Sequence, residues 1–271
     1  MTVLTAERSS AVEVHSVTQT RVLRSEWIKL WTLRSTWITL LAALVGMIGI
    51  GYLVSYEGRV HYASMGPIEQ LTFDPTLHSL FGVYLAQLAI GVLGVLVITG
   101  EYATGMIRAT LAAVPTRLPM LWAKLAVFGT VTLVLMMVAS FTAFLGGQKL
   151  LHPYGTTLSQ PHVLRAVIGV GLYLTVVALL AMGLGFIIRN TAGAIATLFG
   201  LLLVAPVLIR AFPSSWQDHI SPYLPSNAGS ALFDLHPETR SLAPWTGFGV
   251  FCAWAAASII AAAILLRRRD A

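Results

Sequence analysis

The sequence predicts an all-α polytopic membrane protein: six transmembrane helices, an N-terminal amphipathic interfacial helix, and both termini on the cytoplasmic side. Three observations lead there. Apolar residues make up 56% of the 271 positions and charged residues only 10%, with a mean hydropathy of +0.78. A soluble domain of this length needs more charge to cover its surface. The 17 Lys and Arg residues also fall mostly at the ends of apolar runs, where they suit anionic lipid headgroups and not a soluble nucleic-acid face. No nucleic-acid partner is expected.

Residues 1–20 mix Ser, Thr, Glu and Val without sustained periodicity and read as a flexible cytoplasmic tail. From Arg21 a helical pattern begins and defines an interfacial helix over 21–34. At 100° per residue, Val22, Leu23, Trp27, Leu30, Trp31 and Leu33 share one face, while Arg21, Arg24, Ser25, Lys29 and Thr32 take the other. Glu26 and Ile28 break the pattern. Arg24, Glu26, Trp27, Lys29 and Trp31 are its candidate interface residues. Two tryptophans and several basic residues suit a helix lying flat in the membrane interface; a charged approach to the first span is the plainer reading.

Six charge-delimited runs follow. Arg34 to Glu57 encloses 22 uncharged residues, Asp74 to Glu101 26, Lys124 to Lys149 24, Arg165 to Arg189 23, Arg189 to Arg210 20 and Arg240 to Arg267 26. A helix needs roughly 20 residues to cross a hydrocarbon core of about 30 Å. A charge at mid-membrane costs about 2.5–3.5 kcal/mol, so uninterrupted runs of this length carry meaning. The expected spans are 35–56, 76–100, 122–147, 166–188, 190–210 and 244–266, joined into one transmembrane unit over 21–271. The fifth is the shortest and contains Pro206, and Arg189-Asn190 leaves almost no loop before it. With the N-terminus inside, twelve Lys and Arg fall on the cytoplasmic side and five outside, the bias expected of cytoplasmic loops. The outer stretch from Arg210 to Pro244 mixes proline, aromatics and short apolar pieces, which predicts short helices and not a hydrated linker.

Signals for chemistry are sparse. The seven histidines form no metal-ligand spacing. Cys252 is the single cysteine, so no disulfide within the chain is available. No Gly-x-x-x-x-Gly-Lys-Ser/Thr loop occurs to cradle a triphosphate, and no cofactor is expected on this chain. Leu145-Gly146-Gly147-Gln148 reads as the termination of span three. Gln87, near Tyr84, is the one clearly polar residue deep in span two; it either lines a path or makes an interhelical hydrogen bond. Small residues at Gly46 and Gly49, Gly91 and Gly94, Ala181 and Gly185, and Ala196 and Gly200 allow close helix approach.

The loop 101–121 between spans two and three is polar and basic. Gly105 permits a turn, and Thr110 to Val114 precede a break at Pro115. The loop is either a short helix on an elbow that a soluble partner docks against, or a solvated connection. Here the sequence resembles a known family. Ser25-Glu26-Trp27-Ile28-Lys29-Leu30, then Gly100-Glu101-Tyr102-x-x-Gly105-x-Ile107-Arg108-x-Thr110-Leu111, then Pro115-x-Arg117 with Lys124, resemble permease subunits of ABC-2 type transporters, most closely an actinobacterial branch. Met106 departs from the threonine more usual there. The resemblance covers the whole chain, including Leu224-Pro225-Ser226 in the outer segment. It implies an exporter subunit of the bacterial cytoplasmic membrane that dimerises with a second copy or a related chain. It also implies a separate cytoplasmic ABC ATPase, which binds ATP and Mg. By the same resemblance, Glu101, Tyr102, Gly105, Arg108, Thr110, Pro115 and Arg117 transmit the ATPase stroke, helped by Glu26 and Lys29. A non-transporting membrane anchor, immunity or sensor protein that docks a cytoplasmic partner is the alternative.

Overall fold

A computed structural model describes residues 18–107, 117–236 and 241–268. Among these there is no strand, and six helices are long and apolar enough to cross a membrane, the number expected. The chain begins with α1 (Gln19–Thr32), then turns at Leu33 into α2 (Arg34–Tyr62), the first span. Two short helices follow, α3 (Pro67–Leu71) and α4 (Pro75–Leu80). The second span is α4 continued, after a tight turn, by α5 (Val83–Ala103). The third is α6 (Leu118–Leu151) and the fourth α7 (Val163–Ile188).

Span five is broken. It starts as α8 (Thr191–Phe199), widens into a π-helical turn at Gly200–Val204, and returns to α9 (Ala205–Leu208) and a 3₁₀ turn at Ile209–Ala211. Pro206 lacks the N–H that would bond the Leu202 carbonyl and its ring presses on that carbonyl, so the regular ladder fails one turn upstream. The outer stretch is made of short helices, α10 (Ser214–Ile220), a 3₁₀ turn and α11 (Pro225–Ser230), before α12 (Pro244–Arg268) forms span six.

The bundle is built around α7, which packs against α5, α6 and α12, while α2 lies on α5 and α6. Of the most apolar window of α7, 78% is buried, against 22% for span five and for span six. Small residues explain how α7 reaches its neighbours. A Cβ on Gly94 would lie 2.8 Å from the Ala178 carbonyl oxygen and 2.9 Å from Ala181, so these backbones approach as the spacing predicts. Tyr173 stacks on Phe251 at 5.2 Å and meets Phe233 edge-on, joining span four to span six and the outer stretch.

Gly146 and Gly147 do not end a helix: α6 runs on to Leu151. They are close-packing positions, with Gly147 against the hydroxyls of Ser79 and Ser55. Gln148 is held by three hydrogen bonds, donating to Pro75 O and Ser79 Oγ at 2.8 Å and accepting from Thr156 N at 2.6 Å. These bonds satisfy the polar ends of the helices locally, which is why α6 outruns its apolar stretch. Likewise α2 continues past Glu57 to Tyr62, with Glu57 and His61 both more than half exposed: an α-helix needs internal hydrogen bonds, not an apolar surround, so the element outlasts the span.

Gly82 is pressed against backbone: a Cβ there would collide with the Met47 carbonyl oxygen and lie 2.6 Å from the Met47 Cα. Backbone cannot yield as a side-chain tip does. Gly82→Ala is expected to lower the thermal unfolding midpoint in detergent, by overpacking of about 1–3 kcal/mol or more. Gly49→Ala, where nothing lies within 4 Å, should leave the midpoint unchanged or raise it, because alanine is the better helix former by about 1 kcal/mol.

Candidate functional site: a buried charge network under the loop between spans two and three

The α1 stripe that faces the bundle is Val22, Glu26 and Leu30, all buried and spaced by four residues. Glu26, the exception in the apolar pattern, therefore points inward. Trp27 is 46% exposed and Arg24 lies on the exposed side. Trp31 packs between Trp27 and Trp37 with tilted rings, centroids at 5.3 and 4.1 Å, and Trp37 Nε1 donates to the Trp31 carbonyl at 3.0 Å. The aromatic cluster fixes the angle between α1 and the first span and gives it an amphipathic edge of the kind found at membrane interfaces.

Two further charges meet Glu26 from other helices. Glu101 closes the last turn of α5, and Lys124 projects from the second turn of α6; both are more than nine-tenths buried, as is Glu26. Lys124 Nζ donates to Glu26 Oε2 and to Glu101 Oε1, each at 2.7 Å. Lys29 Nζ donates to Glu26 Oε1 at 2.8 Å and to Glu101 Oε1 at 3.1 Å. Two carboxylates and two ammonium groups thus share one site and their formal charges cancel. Burying a charge is expensive unless it is paired and hydrogen-bonded; here every charge has at least two opposite contacts. Within the network, Glu101 Oε2 is buried with no hydrogen-bond partner. Beside the network a cavity of about 400 Å³ opens between α1, α2, α5 and α6, walled largely by apolar residues such as Leu30, Leu93, Val97 and Phe128.

Burial by itself would lower the pKa of Lys29. The hydrogen bond and charge of Glu26, and then those of Glu101, outweigh it and hold the group above its ordinary 10.5. Lys29 therefore favours the folded state at neutral pH. That contribution shrinks only once the pH rises past the ordinary value toward the higher folded one.

The remaining residues expected in the loop are distributed around this base. Arg108, Thr110 and Pro115, and with them the short helix over Thr110 to Val114, lie outside the described residues. Gly105 makes the expected turn with φ of +73°, a conformation open to glycine and strained for other residues. Tyr102 presents its ring to the Arg189 guanidinium, whose carbon lies 5.1 Å from the ring centroid. Arg117, at φ of +58°, donates from Nη1 to the Leu266 carbonyl near the end of span six at 3.1 Å. Gln87 and Tyr84 are not part of this cluster. Gln87 accepts a 2.6 Å hydrogen bond from the Tyr173 hydroxyl in the centre of the bundle, and Tyr84 is 44% exposed beside Phe81.

Sequence reasoning missed Lys124 as a member of the site and treated it as the boundary of span three. The available signal was Glu26 on an apolar helix face, an acid that needs a base. Arg189 was likewise read only as the marker of a short loop.

A family model described as ABC-2 family transporter protein matches residues 22–206, from the second turn of α1 into span five. The match covers most of the chain and includes all four members of the charge network. The chain belongs to that family and is a membrane permease component of an ABC transporter, not itself a catalytic enzyme. The matched region ends before the outer segment and span six, so the wider resemblance seen in the sequence rests there on Leu224-Pro225-Ser226 alone. A comparison with curated proteins returned no match.

Replacing Lys124 by Met strands two buried carboxylates with one shared lysine. The expected loss is about 3–5 kcal/mol of stability, seen as a lower unfolding midpoint. The fourfold change Lys124→Met, Lys29→Met, Glu26→Leu and Glu101→Leu should recover much of it, since an apolar replacement of a whole buried ion cluster is close to neutral. Lys29→Met should destabilise by a constant amount near neutral pH, with the difference from the parent narrowing as pH is raised above 10.5.

Proposed function

We propose that two copies of this chain, or one copy and a related chain, enclose a translocation path in the bacterial cytoplasmic membrane and are driven by a separate cytoplasmic ATPase docked on the loop 101–121. The termini lie inside, substrate moves outward, and ATP with Mg binds the partner subunit alone. The observation that carries this reading is the clamp at the foot of the loop. Glu101 opens the loop, Lys124 follows it, and their side chains join directly at 2.7 Å. Lys124 also reaches Glu26 of α1, and Lys29 of α1 bridges Glu26 to Glu101. A force applied to the loop is then shared by α1, span two and span three, where a solvated loop on a loose base would absorb it.

The family supports an ABC ATPase as partner. In the proposed cycle, closure of the two ATPase subunits on ATP draws the paired loops together and shifts the spans between two arrangements. Glu101, Tyr102, Gly105, Arg108, Thr110, Pro115 and Arg117 receive the stroke, and Glu26 with Lys29 passes it to the interfacial helix. The anchor or sensor alternative shares the docking but not the path.

Affinity purification from native membranes is expected to bring down a nucleotide-binding subunit whose ATP hydrolysis depends on the permease. Gly105→Pro or Arg108→Glu should reduce that dependence at least about tenfold, about 1.4 kcal/mol of coupling free energy. Unchanged assembly and unchanged hydrolysis in both variants overturn the docking assignment. A reporter fused at Thr116 should read out as cytoplasmic; an external readout overturns the orientation.

A further inference from the structure

Span five is, with span six, the least buried of the membrane-crossing helices. Its first half is fixed: Ala194 and Leu198 are fully buried, the latter against Gly91 of span two. From the π turn onward the support thins: Leu203, Val204, Val207 and Leu208 are 39–66% exposed, with Leu202 and Ile209 still buried, and a Cβ on Gly200 would meet nothing within 4 Å. A π turn beside a proline is a place where a helix bends at low cost. What holds the other end is specific. Thr191 Oγ1, at the start of α8, donates to Thr99 Oγ1 of α5 at 2.9 Å. One turn away, Arg189 lays its guanidinium over Tyr102 of the same helix. Arg189 has the left-handed φ of +57° that closes α7, which swings its side chain out of the helical register and across to α5.

We infer that Tyr102–Arg189, seconded by Thr99–Thr191, is the latch through which the last turn of span two moves the start of span five, with Arg189 a positioning residue for the transport stroke. This rests on the ATPase-driven reading above and adds what that reading leaves open, the route to span five. The route is needed because α1, α5 and α6 share the buried charges, whereas span five owns none of them. Glu101 and Tyr102 are neighbours in sequence but point to different partners: one to the clamp, the other to the span four–span five hairpin. A displacement of the clamp is thereby delivered to α8, and the π turn lets the outer half of the span follow by bending. The attraction between a guanidinium and an aromatic face needs the ring and not the hydroxyl, so the latch has a distinctive signature.

The test uses the permease purified with its ATPase, in a Cys252→Ser background. Spin labels are placed at Leu208→Cys on span five or at Val45→Cys on span one. Distances between the two copies are measured without nucleotide and after trapping with ATP and vanadate. The parent is expected to show a nucleotide-driven shift at both positions. Arg189→Gln should lose most of the shift at 208 and keep the one at 45, with an unaltered unfolding midpoint, and Arg189→Lys should restore the movement. If Arg189→Gln does not fold, Tyr102→Leu should lose a larger share of the shift at 208 than at 45, and Tyr102→Phe should show no such difference. A full shift at 208 in Arg189→Gln, or equal loss at 45 and 208, overturns the latch while the ATPase-driven reading stands. No shift at either position in the parent overturns that reading, and the latch with it.

Discussion

The ammonium of Lys124 is buried between two carboxylates that come from different helices. In bulk water such a contact is worth little; in a buried helix junction it fixes three backbones relative to one another, because any separation leaves a buried charge unpaired. The arrangement of α1, the end of span two and the start of span three follows from this constraint. So does the direction of the loop between spans two and three, since the residues on either side of it are joined at its foot.

The cost of the network and its use are linked. A cluster of three buried charges and a partly exposed fourth is weak evidence for stability as such, since apolar residues of similar volume do as well. Its specificity lies in register. A leucine stripe tolerates a rotation of α1 by a fraction of a turn, but Lys124 reaches Glu26 and Glu101 together in one arrangement only. A protein that must pass a mechanical displacement from one helix to another gains from such a junction, because rigid elements deliver movement and compliant ones lose it. The contrast with span five is instructive: it is supported at one end by a ring–guanidinium contact and a pair of hydroxyls, and is free to bend beyond its π turn.

Much of this architecture was legible in the chain. The six spans follow from charge-free runs of sufficient length, a near-local property that hydrogen bonding inside each helix turns into structure whatever the neighbours do. The Gly105 turn, the interfacial character of α1 with its tryptophans, and the fragility of span five at Pro206 were visible for the same reason. Helix ends were less so. Gly146 and Gly147 look like a terminus in sequence, but their lack of side chains serves close packing against Ser55, Ser79 and Tyr52, a matter of which helix lies opposite.

The sequence alone determined which segments are helical, how many are apolar enough to cross a membrane, and which stretch between them is polar enough to meet a partner. Only the tertiary structure decided what Glu26, Lys124 and Arg189 do. Glu26 and Lys124 are 98 residues apart and Lys124 and Glu101 are 23 apart, and nothing in the local pattern of any one helix says which charge will face which. Pairing between helices depends on their packing angles and rotations, and these are set by the sum of many small apolar contacts together with the requirement that no buried charge be left alone.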